Sequence, residues 1–149
     1  MIGFSRRKPD FKHPNFRHHS VDIADDQQLL EALDQMPSLD GVVHAAGMMA
    51  SAPLGDLDSL LSEQLWHLHV KAPELILNRL IHRMPDGSRI ILIGSRTSGG
   101  AANRSQYAAT KSAMIGMVRS WAKELAPRQI TVNIVAPAAT ETPMLHVQN

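Results

Sequence analysis

The run Arg89-Ile90-Ile91-Leu92-Ile93-Gly94 constrains this chain more than any other segment. Its four consecutive aliphatic residues, closed by glycine, read as a strand buried on both faces. Strands of that kind belong to parallel sheets covered by helices. The theme recurs along the chain. Met1-Ile2-Gly3-Phe4 is a short apolar start that stops at Ser5-Arg6-Arg7-Lys8-Pro9. Residues 17–23 predict a weaker second strand reaching Asp22. Asp40-Gly41-Val42-Val43-His44-Ala45-Ala46-Gly47 predicts a buried strand running into a turn of small residues, and residues 130–135 predict a last strand stopped by Pro137.

Helical periodicity fills the intervals. Ala24-Asp25-Asp26 offers N-cap chemistry for a helix near 26–36, with Leu29, Leu30 and Leu33 on one face and Pro37 beyond it. Leucines and isoleucines from Leu57 to Ile81 mark a long helical region over about 56–83. Pro73 removes a backbone donor within it, which predicts a kink or a break. Met114, Ile115, Val118, Trp121, Ala122 and Leu125 give a stripe to a helix near 105–126, ended by Pro127. Strands alternating with helices predict an α/β fold, a parallel sheet with helices on both faces.

With 149 residues the chain has the size of one domain and enough length for a core. A formal charge of +1 argues against nucleic acid or a membrane surface as an obligate partner. The absence of cysteine suits a reducing compartment. No stretch of 18 apolar residues occurs, and the start MIGFSRRKPD lacks the apolar core of a signal peptide, so a cytoplasmic location is expected.

The candidate chemistry sits at the end of the apolar run. Ser95 closes it, Tyr107 is the sole tyrosine, and Lys111 follows that tyrosine by four residues. On a helix that spacing stacks the phenol and the ammonium on one face. A strand-end hydroxyl facing such a pair is equipment for moving a proton to or from the oxygen of a carbonyl/alcohol couple. The eight histidines carry no metal-ligand pattern: His67 and His69 point to different faces of a helix, His18 and His19 alternate across a strand, and no H-E-x-x-H occurs. No metal site is expected.

These motifs give the chain a resemblance to the short-chain dehydrogenase/reductase family over residues 1–149. His44-Ala45-Ala46-Gly47 matches the family's N-N-A-G turn, Tyr107-Ala108-Ala109-Thr110-Lys111 its Y-x-A-S-K, and Asn133-Ile134-Val135-Ala136-Pro137 with Thr140 its last strand and the turn beyond. The resemblance implies a single partial dinucleotide-binding domain, an incomplete Rossmann-like three-layer sandwich on a mostly parallel sheet of about five strands. It implies that Ser95 binds the substrate oxygen and that Tyr107 exchanges the proton with it. Lys111 would hold the nicotinamide ribose and lower the phenol's pKa, as a neighbouring ammonium does on general grounds. His69 stands where the family has its catalytic asparagine, and histidine there can titrate near neutrality.

Ala45, Ala46 and Gly47 are implied cofactor contacts. Asp22 and Ile23 resemble the adenine contact, with an ordinary helix-start acid as the competing reading of Asp22. Pro137 and Thr140 resemble the binder of the nicotinamide carboxamide, with an N-cap as the competing reading of Thr140. Ser5 and Arg6, with Arg7, close the first strand where NAD-preferring relatives carry an acid. Arginine there suits a 2′-phosphate, so NADP(H) is favoured and NAD(H) remains possible.

Nothing in the chain matches the family's glycine-rich G-x-x-x-G-x-G turn, which brings backbone amides to the pyrophosphate. The chain is therefore expected to be truncated at both ends relative to the family, lacking a strand, turn and helix of on the order of thirty residues. Cofactor binding is expected to be weakened accordingly. The lost strand would lie between the first strand and that of residues 41–46, which must then pair directly or leave a gap. Two functions follow. One is an oxidoreductase moving a hydride between the nicotinamide cofactor and a secondary alcohol or ketone. The other is a non-catalytic fragment that persists by association. In either case the helices near 56–83 and 105–126 offer faces for a homo-oligomer.

Overall fold

The structure, a computed structural model, describes residues 1–140. In chain order it has strand β1 (Ile2–Ser5), β2 (Arg17–Ser20), helix α1 (Asp26–Asp34) and β3 (Gly41–His44). Helix α2 (Ser59–Trp66) leads through a π-helical turn (His67–Lys71) into α3 (Ala72–Leu80). Strand β4 (Arg89–Ile93) and a 3-10 turn (Arg96–Gly99) precede α4 (Ser105–Leu125). A second 3-10 turn (Ala126–Arg128) then leads to β5 (Thr131–Val135).

Local chemistry explains the element ends. The Asp25 carboxylate accepts from the Gln28 amide at 3.0 Å and caps α1. Asp58 does the same for α2 through the Leu60 amide at 2.8 Å. The expected interruption at Pro73 takes the form of the π-helical turn just upstream, where the Ala72 amide reaches back five residues to the carbonyl of His67. Pro73 itself sits at the start of α3, where a missing N–H costs nothing.

All strand pairs are parallel, as the alternation of elements predicts. The five strands form two sheets rather than the single sheet expected: β1 with β2, and β3–β4–β5. Among the described residues no strand bridges β1 and β3, so the gap, not direct pairing, is what forms. In the larger sheet Val42, Ile90 and Val132 share one register row, and His44, Leu92 and Ile134 the next. These rows form the inner face. Leu29 and Leu33 of α1, Leu77 and Leu80 of α3, and Met114 and Val118 of α4 pack into the same core as Ile90, Leu92 and Val132. Ile2 and Phe4 of β1 rest against this core too, which keeps the two sheets on one layer of helices.

The opposite face reads differently. Val43 and Val135, in the alternate register rows, are 63% and 49% exposed. Parallel sheets flanked by helices are the α/β arrangement that the resemblance implies, here with five strands in two sheets. The buried aliphatic side chains of α1 and α3, and Met114 and Val118 of α4, pack on the inner face. The expected domain 1–149 has its last nine residues outside the described part. No described helix is long and apolar enough to cross a membrane.

Candidate active site

The carboxyl ends of β3 and β4 and the first turns of α4 converge around a small second core of Ala50, Leu65 and Tyr107. Tyr107, Thr110 and Lys111 lie on one buried face of α4. The Lys111 ammonium donates to the carbonyl of Ile93 at 2.9 Å. That carbonyl is two residues before Ser95, so a single bond ties the amphipathic helix to the end of the apolar strand. The Ser112 hydroxyl donates to the Ser98 carbonyl at 2.7 Å and fastens the following 3-10 turn to the same helix. Ser95 is half-buried at the start of that turn. Its oxygen accepts from the Thr97 amide at 3.1 Å, which leaves its own proton to donate elsewhere.

Lys111 lies 5.7 Å from the centre of the Tyr107 ring. Burial lowers the lysine to about 8, because removing an ammonium from water favours its neutral form. His69 is buried completely in the π-helical turn, edge-on to Tyr107 with ring centres 5.5 Å apart. Its Nε2 lies 3.2 Å from the Met48 amide, and its Nδ1 lies 2.9 Å from Thr110 Oγ1. The near-neutral titration expected at this position does not fit these surroundings. Burial first, and then the charges of Lys111 and His44, push His69 down to about 3. His44 is likewise buried, lowered to about 4 mainly by burial, and donates from Nε2 to the Leu68 carbonyl at 3.0 Å.

Gly47 occupies the turn after β3 against this cluster. A side chain there would begin 3.1 Å from His69 Nε2, a tight approach, and 3.8 Å from Lys111 Nζ, an ordinary contact. Ala45 is exposed and Ala46 half-buried in the same turn. The structure thus brings Ser95, Tyr107, Lys111, His69 and Gly47 to one edge.

The remaining candidates lie apart from that cluster. Asp22 is half-buried, and its carboxylate accepts from the Ala24 amide at 3.0 Å, a turn contact that leads into α1. This favours the helix-start reading, while Ile23 packs against the main core. Ser5 donates to the Arg7 carbonyl at 2.7 Å and lies 2.9 Å from His18 Nε2. Arg6 is exposed and engages Ser20 only through its backbone carbonyl. The Pro137 carbonyl accepts from the Arg96 amide at 3.1 Å, placing the segment after β5 beside the one after β4. Thr140 is exposed and donates to the Ala138 carbonyl at 3.1 Å; a helix that it could cap would lie outside the described residues.

Two contributors escaped the sequence reading. Thr110 was visible only as a hydroxyl three residues after Tyr107 on the same helical face. Met48 contributes a backbone amide, for which a sequence has no signal. His67 faces away, as expected, and bonds Asp26 Oδ1 at 2.8 Å, while Lys71 donates to the other oxygen of that carboxylate. Among the described residues no group of three or more His, Asp or Glu is placed to hold a metal ion.

A family model described as short chain dehydrogenase matches residues 10–149. A biofilm dispersal mediator protein of Escherichia coli, named as binding cyclic-di-GMP, is 32% identical over 82% of this chain and 52% of its own length. A blue fluorescent protein from a metagenomic library, solved with NADPH, superimposes with a TM-score of 0.82 at 36% identity, over 87% of this chain and 55% of that one. A short-chain dehydrogenase from Burkholderia cenocepacia, solved with NADP, gives 0.81 at 32% identity over 87% and 55%. The chain spans about half the length of the curated relatives it matches.

Proposed function

The chain belongs to the short-chain dehydrogenase family, and we propose that its β4–α4 edge is the reactive end of an NADP(H)-dependent oxidoreductase site for a secondary alcohol or ketone. One observation carries this reading: Tyr107 and Lys111 share a buried helical face that is bonded to the strand end bearing Ser95. In this reading Ser95 donates its free proton to the substrate oxygen and orients it. In reduction Tyr107 passes its phenolic proton to that oxygen, and in oxidation it takes the proton back. Lys111 is cationic at neutral pH and favours the phenolate through space. A bound nicotinamide would supply or accept the hydride at the carbonyl carbon.

The residues fit the reactive end of such a cofactor. Lys111 and Tyr107 would hold the ribose beside the nicotinamide, and the bare Gly47 backbone allows close approach beside Ala45 and Ala46. Pro137 and Thr140 would meet the carboxamide, Asp22 and Ile23 the adenine, and Ser5 and Arg6 the 2′-phosphate. The pyrophosphate end fits less well, because no G-x-x-x-G-x-G turn occurs in the chain. Binding weaker than that of full-length relatives follows. NADP(H) over NAD(H) is supported by exposed Arg6 and by the NADPH- and NADP-bound relatives. A reducing cytoplasm suits a chain without cysteine.

A second reading, a non-catalytic chain that acts by association, is favoured by the open outer face and by exposed Leu54, Leu60 and Trp66 around α2. Self-association would then use α2, α3 and α4. A titration of NADPH followed by its fluorescence separates the two. Saturable binding in the micromolar range supports the oxidoreductase, and its absence leaves the association reading.

A further inference from the structure

His69 stands where the resemblance implies an asparagine, and its hydrogen bonds fix its proton without ambiguity. The Met48 amide can only donate, so the ring nitrogen facing it, Nε2 at 3.2 Å, must accept. A neutral imidazole then carries its proton on Nδ1, which faces Thr110 Oγ1 at 2.9 Å. The other end of the chain gives the same answer independently. The Thr110 hydroxyl lies 3.0 Å from the Tyr107 carbonyl, which can only accept. Thr110 must therefore donate there and accept from His69. A backbone donor at one end and a backbone acceptor at the other leave a single direction for every proton between them.

The ring also joins three elements. Met48 belongs to the turn after β3, His69 to the π-helical turn and Thr110 to α4, between the two residues read as reactive. The imidazole packs edge-on against Tyr107, and a Cβ at Gly47 would lie 3.1 Å from its Nε2. Protonating the ring would set a second N–H against the Met48 amide. The titratable groups that act on it are Lys111 and His44, whose charges oppose such a proton, with Tyr107 at its edge.

We propose that His69 is a positioning residue: a neutral, one-way hydrogen-bond link that sets Tyr107 and Lys111 on α4 and takes no part in proton exchange. The claim rests on the oxidoreductase reading for its purpose, but its test does not depend on turnover. In the full chain labelled with 15N, long-range proton–nitrogen spectra report the tautomer of each histidine, with His69→Asn supplying the assignment. The expected result is a neutral Nδ1–H ring at position 69 from pH 5 to pH 9. A ring that titrates between those limits, or one protonated on Nε2, overturns the proposal.

The purpose is read from Thr110→Val, which removes the acceptor, and Thr110→Ser, which keeps it. Thr110→Val should move the Tyr107 ring resonances and lower kcat by up to about a hundredfold, the scale of a 1 Å misplacement, with KM for NADPH nearly unchanged. Thr110→Ser should restore both. Unmoved Tyr107 resonances in Thr110→Val would overturn the positioning role. Wild-type protein that binds no NADPH would refute the oxidoreductase reading, and the spectra would still decide the histidine's part.

Discussion

The two faces of the β3–β4–β5 sheet both carry aliphatic side chains, and those side chains meet different fates. Ile90 and Leu92 point inward and are 0% and 1% exposed, whereas Ile91 and Ile93 between and after them are only half-buried. Val132 is buried, yet Val43 and Val135 in the alternate rows are largely open. Ile90 and Ile91 are equally apolar, so what separates these two is the helices that pack on the inner side. The buried stripes of α1, α3 and α4 lie on the inner side, and α4 carries Tyr107, Thr110 and Lys111 to that side's carboxyl edge. Side chains are held in fixed positions where packing is complete, which is where a proton-transfer pair needs them. The outer face lacks that support, and the predicted 2′-phosphate contacts Ser5 and Arg6 lie exposed at the end of β1.

The contrast can be broken most forcefully at the inner edge. Tyr107→Phe keeps the ring and removes the transferable proton. It should lower kcat/KM by about 10²- to 10⁴-fold while NADPH fluorescence titrations still saturate. Retained activity would remove the tyrosine from the chemistry. Next in size is Leu92→Ala, which should cost about 2–5 kcal/mol in urea unfolding because it opens a cavity in a closed core. A loss under 1 kcal/mol would mean that the inner face is not packed as described.

The buried histidines sharpen the comparison through pH. His44 and His69 have folded values of about 4 and about 3, below the ordinary 6.5, so the unfolded chain binds protons that the folded chain refuses. Their contribution is fully present above pH 6.5 and is lost as pH falls toward those folded values. The slope is about 1.4 kcal/mol per pH unit for each histidine. Urea midpoints measured at pH 7, 6 and 5 should fall steadily, and His69→Asn should flatten the decline. Lys111 gives the converse signature in activity: kcat/KM should fall above about pH 8 as the ammonium is lost. The smallest effect belongs to the outer face, where Val43→Ser should change stability by no more than about 0.5 kcal/mol. A cost equal to that of Leu92→Ala would show that something covers this face in solution.

Much of this was legible in the chain. Strands at 89–93 and 131–135 and the helix at 105–125 fall within a residue or so of the predicted spans, because period and capping act locally. Spacing put Tyr107 and Lys111 on one helical face, where they lie, with Ser95 just beyond the end of the apolar strand. Coverage of the sheet could not be read that way, since Ile91 is as apolar as Ile90 and only the partner helix distinguishes them. The π-helical turn was foreseen only as a disturbance near Pro73. Neither the separation into two sheets nor the Met48–His69–Thr110 link has a local sequence signal, because each depends on elements far apart in the chain. Asp22 carried two readings in the sequence, adenine contact and helix-start acid, and its contact with the Ala24 amide accords with the second.

The most direct test of the central claim follows a labelled hydride. NADPH carrying deuterium at the transferable position of the nicotinamide is mixed with the full chain and a panel of small ketones, and the products are weighed by mass spectrometry. The account predicts deuterium on the carbinol carbon of at least one product with wild-type protein, and at least about a hundredfold less with Tyr107→Phe. Label-free products at saturating NADPH, or equal labelling by the two proteins, would contradict it.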